Sequence, residues 1–185
     1  MITTPFSIPI FQYSVDDWNT SKQKVLSTIN PYINGNTDYY EDRGGAYYGR
    51  SKKDPPPYME NIAETLHGCM NNLANDIKCS VDDMYIEAMW YEQLNYGDYH
   101  CCHNHGALGL SATYFVSFDS EEHEPTRFYA PHLDYLTGHN MFYQPEAKEG
   151  DVIFFPSSLL HEAPRNNSTI PRLIISFNIR SSLWG

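Results

Sequence analysis

Two hydrophobic rhythms divide the chain. From Ser14 to residue 33 apolar side chains recur at roughly helical spacing, at Trp18, Val25, Leu26 and Ile29. Ser14 with Asp17 three positions later resembles a capping box with Asp in place of Glu, so a helix is predicted over 14–33. The polar and aromatic stretch "NPYINGNTDYYEDRGGAYYGR" then reads as a long loop. A second helix is predicted from about Pro57 to Lys78. Proline suits a first turn, and Met59, Ile62, Ala63, Leu66, Met70, Leu73 and Ile77 make a stripe with i, i+3, i+4, i+7 steps.

After Ser80 the period shortens to two. "MYIEAMWYEQLNY" is rich in β-formers and alternates in part. In "LGLSATYFVSF", Leu110, Ala112, Tyr114 and Val116 face one way, and Ser111, Thr113 and Phe115 the other. Short strands are predicted at "TRFYA" and "MFYQP", with stronger signals at "GDVIFFP" and "RLIISFNIR". In the last, Arg172, Ile174, Ser176 and Asn178 share one face, while Leu173, Ile175, Phe177 and Ile179 share the other. Helices first and then some seven or eight strands make an α+β domain, mainly β, whose second half is a sandwich or barrel. "KKDPPPY" reads as a loop, not a linker. Residues 1–185 are therefore expected to form one domain, with helical support over about 14–78 and a β core over about 84–181.

Composition narrows the function. Aromatics are 15% of the chain and include fifteen Tyr, enough for a large core and for hydroxyls in a polar cavity. The formal charge of −11 has the wrong sign for a nucleic-acid binder, and no nucleic-acid partner is expected. No apolar run is long enough to span a membrane. The N-terminus lacks a basic segment followed by a long apolar one, so a cytoplasmic location is expected. Cys69, Cys79, Cys101 and Cys102 do not form two CxxC pairs, which argues against a zinc ribbon and for free thiols. Net charge steers encounter without naming a substrate, and the oligomeric state is not readable beyond the two-fold dimer that is the common default.

The chemistry concentrates in "HCCHNH", residues 100–105. On an extended chain His103 and His105 point to the same side, so both imidazoles can meet one ion. The competing reading is a pair of inward histidines hydrogen-bonded to tyrosine. His161 stands just past a strand, on a polar turn, and Arg172 opens the last strong strand eleven residues later. Three protein ligands leave open positions on a metal that prefers five or six. An arginine at the edge of the same cavity can grip a carboxylate with two prongs. A co-substrate with a chelating end and a carboxylate tail fits between them. His100 is out of phase and reads as a bracing or surface group. Cys101 and Cys102 read as packing thiols, and His123, His132 and His139 as solvated loop residues.

These residues resemble a known family. "WYEQLNYGDYHCCHNHGALGLSATYFVSF", "RFYAPH", "GDVIFFPSSLLHEAPRN" and "PRLIISFNIR" span most of residues 90 to 180. They are similar to the non-haem iron(II), 2-oxoglutarate-dependent oxygenases, nearest to the prolyl-hydroxylase-like branch with its short phage and bacterial members. The resemblance implies a double-stranded β-helix, or jelly roll, with helices backing one sheet. It implies that His103, His105 and His161 bind iron and carry the catalysis. It implies that Arg172 pairs with the distal carboxylate of 2-oxoglutarate, that Ser176 places a hydroxyl near it, and that Asn95 donates an amide. Substrate, a protein side chain or a small molecule, would be hydroxylated as O2 and 2-oxoglutarate give succinate and CO2. The loops "NTDYYEDRGGAYYGR", bending at Gly44 and Gly45, and "HLDYLTGHNMFY" would form a lid. The chain departs from the usual His-x-Asp or His-x-Glu pattern at its second ligand, where it has His105. An imidazole there leaves one more positive charge on the centre and suits zinc, copper and nickel as well as iron.

Two other classes stay open on residues alone. One is a three-His cupin-like metalloenzyme that makes no use of 2-oxoglutarate; the other is a non-enzymatic jelly-roll binding module. Arg172 discriminates against the first, which has no need of a carboxylate grip. The complete histidine set counts against the second.

Overall fold

The computed structural model describes residues 7–33, 41–43, 46–48 and 55–184. In chain order the elements are β1 Phe11–Ser14, α1 Trp18–Ile33, β2 Glu41–Arg43, β3 Ala46–Tyr48, α2 Met59–Thr65, α3 His67–Ile77, a 3-10 turn Val81–Asp83, β4 Met84–Leu94, β5 His100–His103, β6 Leu110–Ser117, β7 Arg127–Leu133, β8 Asn140–Tyr143, β9 Asp151–Pro156, β10 His161–Ala163 and β11 Arg172–Ser181. The strands form two antiparallel sheets, ordered β1-β9-β6-β11-β4-β3-β2 and β5-β10-β7-β8. This is the mainly β sandwich with supporting helices that the residue pattern predicts, in the jelly-roll form that the resemblance implies.

Strict alternation on the central strands separates two cores. Ala112, Tyr114 and Val116 of β6 and Leu173, Ile175, Phe177 and Ile179 of β11 bury against Val25, Ile29, Ile62, Leu66 and Leu73 of the helices. The opposite face buries Phe115, Ile153, Phe155 and Ile174 between the sheets, together with Phe128 and Leu159. Each fully buried side chain of this kind contributes about 1.5–3 kcal/mol. A one-residue slip of β11 would exchange Phe177 for Ser176, so the register is strongly specified.

The helices depart from expectation in two places. Ser14 caps no helix: Phe11–Ser14 adds an edge strand to β9, and the Ser14 hydroxyl donates to Asp151 Oδ1 at 2.6 Å. α1 starts only at Trp18, after Asp17 takes a left-handed φ of 46°. Alternation at Phe11 and Tyr13, packed on the helical core, outweighs the capping signal. The second expected helix is broken at Leu66 into α2 and α3, and starts at Met59, not Pro57. Gly150 is needed where it stands: its φ is 85°, and a Cβ there would meet the Trp18 ring at 2.7 Å.

Candidate metal centre

β5 and β10 are adjacent antiparallel strands, and their register sets His161 opposite His103. His105 lies just beyond β5, where its backbone N–H donates to the Ser157 carbonyl at the end of β9 at 2.8 Å. Three imidazoles therefore arrive from two separated segments. One ligand nitrogen from each of His103, His105 and His161 lies within 4.8 Å of the others. His105 Nε2 and His161 Nε2 are 3.2 Å apart. Two nitrogens bound to one ion at about 2.1 Å, at tetrahedral or octahedral angles, stand about 3.0–3.4 Å apart. The donor set thus fits a divalent transition metal.

Backbone carbonyls select the tautomers. His103 Nδ1 is 2.7 Å from the Cys101 carbonyl and His161 Nδ1 is 2.9 Å from the Leu159 carbonyl. A carbonyl only accepts, so both Nδ1 atoms carry the proton and each Nε2 presents a lone pair. Burial holds all three rings neutral. It lowers the pKa of His103, brings His105 down to about 4 with help from His103 and Arg180, and brings His161 down to about 3. Protons therefore do not compete for the lone pairs at neutral pH.

Arg172, Ile174 and Ser176 occupy the inner face of β11, with Ser176 in register between Trp90 on β4 and Thr113 on β6. Arg172 is 1% exposed. One terminal nitrogen donates to the Glu124 carbonyl and the other to the Pro164 carbonyl, at 2.7 Å for the latter. Among the described residues Nε has no hydrogen-bond partner, and burial lowers the guanidinium to about 10, still charged at pH 7. Five N–H donors less two leave capacity for an incoming carboxylate. Asn95 is engaged by its chain neighbours. Its backbone and side-chain nitrogens bond Asp98 Oδ2 at 2.9 and 3.4 Å, and its carbonyl oxygen accepts from Gln93, which fastens the β4–β5 turn.

Other candidates resolve as follows. Cys101 and Cys102 are exposed, because β5 is an edge strand, and so they do not pack. His123 is buried rather than solvated; Nδ1 accepts from the Asp119 N–H and Nε2 donates to the Ile170 carbonyl at 2.9 Å. His132 and His139 are exposed, as expected. Of the two lid segments, "NTDYYEDRGGAYYGR" falls largely outside the described residues, Gly44 and Gly45 included. The other is the β7–β8 hairpin, whose Met141, Phe142 and Tyr143 line an apolar cleft of about 460 Å³ with Ile10, Phe128 and Leu159.

Two residues of the centre went unread in sequence, Trp90 and Glu92. Glu92 is 2% exposed, and its carboxylate accepts from Trp90 Nε1 at 2.9 Å and lies 3.2 Å from His100 Nδ1. A lone acid between Trp90 and Leu94, on the inner face of a central strand, was the signal available.

The comparisons with known proteins agree with this geometry. A family model described as a putative 2OG-Fe(II) oxygenase matches residues 88–178, a segment that holds the three histidines and Arg172. The match covers 91 of the 185 residues and supports a 2-oxoglutarate- and iron(II)-dependent oxygenase, a class whose members use iron(II), 2-oxoglutarate and O2. A sequence search of curated proteins finds no significant match. Among solved structures, the epimerase SnoN from nogalamycin biosynthesis, in complex with Fe3+, alpha ketoglutarate and nogalamycin RO, aligns at TM-score 0.70 and 13% identity over 95% of this chain and 80% of that one. AviO1 from Streptomyces viridochromogenes Tue57 aligns at TM-score 0.71 and 11% identity over 96% and 92%. A Pseudomonas putida prolyl-4-hydroxylase aligns at TM-score 0.64 and 10% identity over 95% and 94%. At these identities the structural likenesses establish the fold. No helix of the described residues is long and apolar enough to cross a membrane.

Proposed function

We propose that this oxygenase holds iron(II) on His103, His105 and His161 and anchors the far carboxylate of 2-oxoglutarate on Arg172, to hydroxylate a small molecule or a protein side chain. The single observation that carries the reading is the convergence of three neutral imidazoles, two of them with Nδ1 tied to carbonyls, within 4.8 Å. Iron(II) with 2-oxoglutarate and O2 supplies the oxidising chemistry when bound. The chain's own part is to place and shield it. His103 and His161 are fixed by backbone acceptors, which keeps their Nε2 atoms aimed at one point. Arg172 is charged, buried and fixed by two carbonyls, so it selects an anionic group of defined orientation at low reorganisation cost. Ser176, on the same inner face, offers a hydroxyl along the co-substrate's length. The interior walls Phe115, Phe128 and Phe155 exclude water, and the Phe155 ring packs 4.6 Å from that of His161. Residues 1–185 act in this reading as one domain.

Anaerobic titration of the iron(II)-loaded protein with 2-oxoglutarate tests it. The expected result is a weak visible charge-transfer band that is lost in His161→Ala and Arg172→Ala. Tight iron binding without that band would overturn the co-substrate assignment and favour a three-His metalloenzyme that works without it.

A further inference from the structure

The three histidines are all neutral, yet a buried carboxylate stands one side chain behind two of them. Glu92 projects from β4 into the space between the sheets and touches two aromatic side chains. One carboxylate oxygen accepts the Trp90 indole N–H at 2.9 Å; the other lies 3.2 Å from His100 Nδ1. Each partner rests on a different member of the histidine set. The His100 ring stacks on His103, with centroids 3.9 Å apart and planes 17° apart. The Trp90 ring lies 5.1 Å from His105, tilted by 34°. One buried acid thus steers two of the three rings.

We propose that Glu92 is the outer carboxylate of the metal centre: a positioning residue that fixes His103 through His100 and His105 through Trp90, and returns to the centre the negative charge its three imidazoles lack. This rests on the reading of His103, His105 and His161 as ligands. Burying a carboxylate is costly unless it is compensated. Trp90, His100 and the field of Arg172 compensate it in part, but both terminal nitrogens of Arg172 bond backbone carbonyls. Burial accordingly raises the Glu92 pKa to about 7. A dication on the histidines completes the compensation, and the same attraction strengthens metal binding. Removing a partner bonded directly to a ligand weakens metal affinity about 10–100-fold, and Glu92, one side chain further out, is expected at the low end of that range.

The test is cobalt(II) titration of the metal-free full-length protein, followed by the cobalt absorption spectrum. Glu92→Gln keeps the volume and an acceptor for Trp90, removes the charge and turns an N–H toward His100. The expected result is at least about tenfold weaker cobalt binding and an altered spectrum, with the melting temperature of the metal-free variant equal to or above wild type, since a buried charge is relieved. A purely structural role would lower that melting temperature and leave the spectrum alone. Glu92→Asp, which keeps the charge on a shorter stem, should recover part of the affinity. Should Glu92→Gln not fold, Trp90→Phe decides, because it cuts one arm and keeps a ring against His105: an altered cobalt spectrum supports the proposal. Unchanged affinity and spectrum in whichever variant folds overturn it. Wild-type protein that binds no cobalt would overturn the ligand assignment itself, a different failure from cobalt binding that ignores Glu92.

Discussion

Arg172 and Arg180 stand at opposite ends of β11, eight residues apart on one strand, or about 27 Å along it. Their chemistry is the same and their situations are opposite. Arg172 is 1% exposed, bonded to two backbone carbonyls and depressed by burial. Arg180 is at the rim. It pairs with the half-exposed Glu87 at 3.0 Å, reaches Ser157 Oγ at 3.4 Å, and lies near enough to His105 to disfavour its protonated form. The backbone is built around Arg180 too: a Cβ on Gly109, whose φ is 80°, would meet the Ile179 carbonyl at 2.5 Å beside the guanidinium. A cation kept dry is one that the fold has arranged for a partner. A cation at the rim already has its partner, and water besides.

The largest expected effect breaks this contrast at its buried end. Arg172→Met fills similar volume but strands the carbonyls of Glu124 and Pro164 and leaves Glu92 without its nearby positive charge. Removing one member of such a buried polar arrangement costs about 3–5 kcal/mol. Urea unfolding at pH 7 measures it. A loss below about 1 kcal/mol would show that burial at this position is not what distinguishes the two arginines.

Next in size is a group that is buried but not permanently charged. His161 is 5% exposed, and burial moves its pKa from 6.5 to about 3. Below 6.5 the unfolded chain binds a proton that the fold refuses, so stability falls as pH falls from 6.5 toward 3. For one such group the slope is about 1.4 kcal/mol per pH unit. With a chelator present, wild type should lose stability between pH 6.5 and 4.5 faster than His161→Gln, by about 2–3 kcal/mol over that range. Parallel curves would mean that His161 takes up its proton in the folded state.

How legible all this was in sequence follows from what each part of the chain encodes. β6 and β11 declared themselves, because every second residue is apolar and each face has its own core. The convergence of His103, His105 and His161 was readable by spacing and resemblance, since the segments that carry them recur in fixed order. β5 and β10 did not show as strands. They have four and three residues, are mostly polar, and exist because the histidine segments pair with each other. β1 was hidden behind a capping signal that its alternation overrides. Glu92 was hidden for another reason: an acid on a strand usually faces water, and nothing local says that its face is closed over by His100 and Trp90. At Asn95 the sequence is ambiguous in the opposite sense, because an amide at a strand end can serve a turn, as it does here, as readily as a ligand.

The smallest expected effect sharpens the comparison at the rim. Arg180→Gln removes the ion pair with Glu87, whose side chain is 46% exposed. Exposed pairs of this kind contribute about 0–1 kcal/mol and less at high salt. The stem of Arg180 also lies against Ile179 and Gly109, and glutamine retains most of that packing. The variant should therefore unfold within about 1 kcal/mol of wild type, with the difference shrinking as salt is raised from 0.05 to about 1 M in a thermal melt. A salt-independent loss as large as that of Arg172→Met would mean that Arg180 is dry in solution and that the two ends of β11 are alike. A small, screened loss would leave Arg172 as the arginine on this strand whose charge the fold shelters from water.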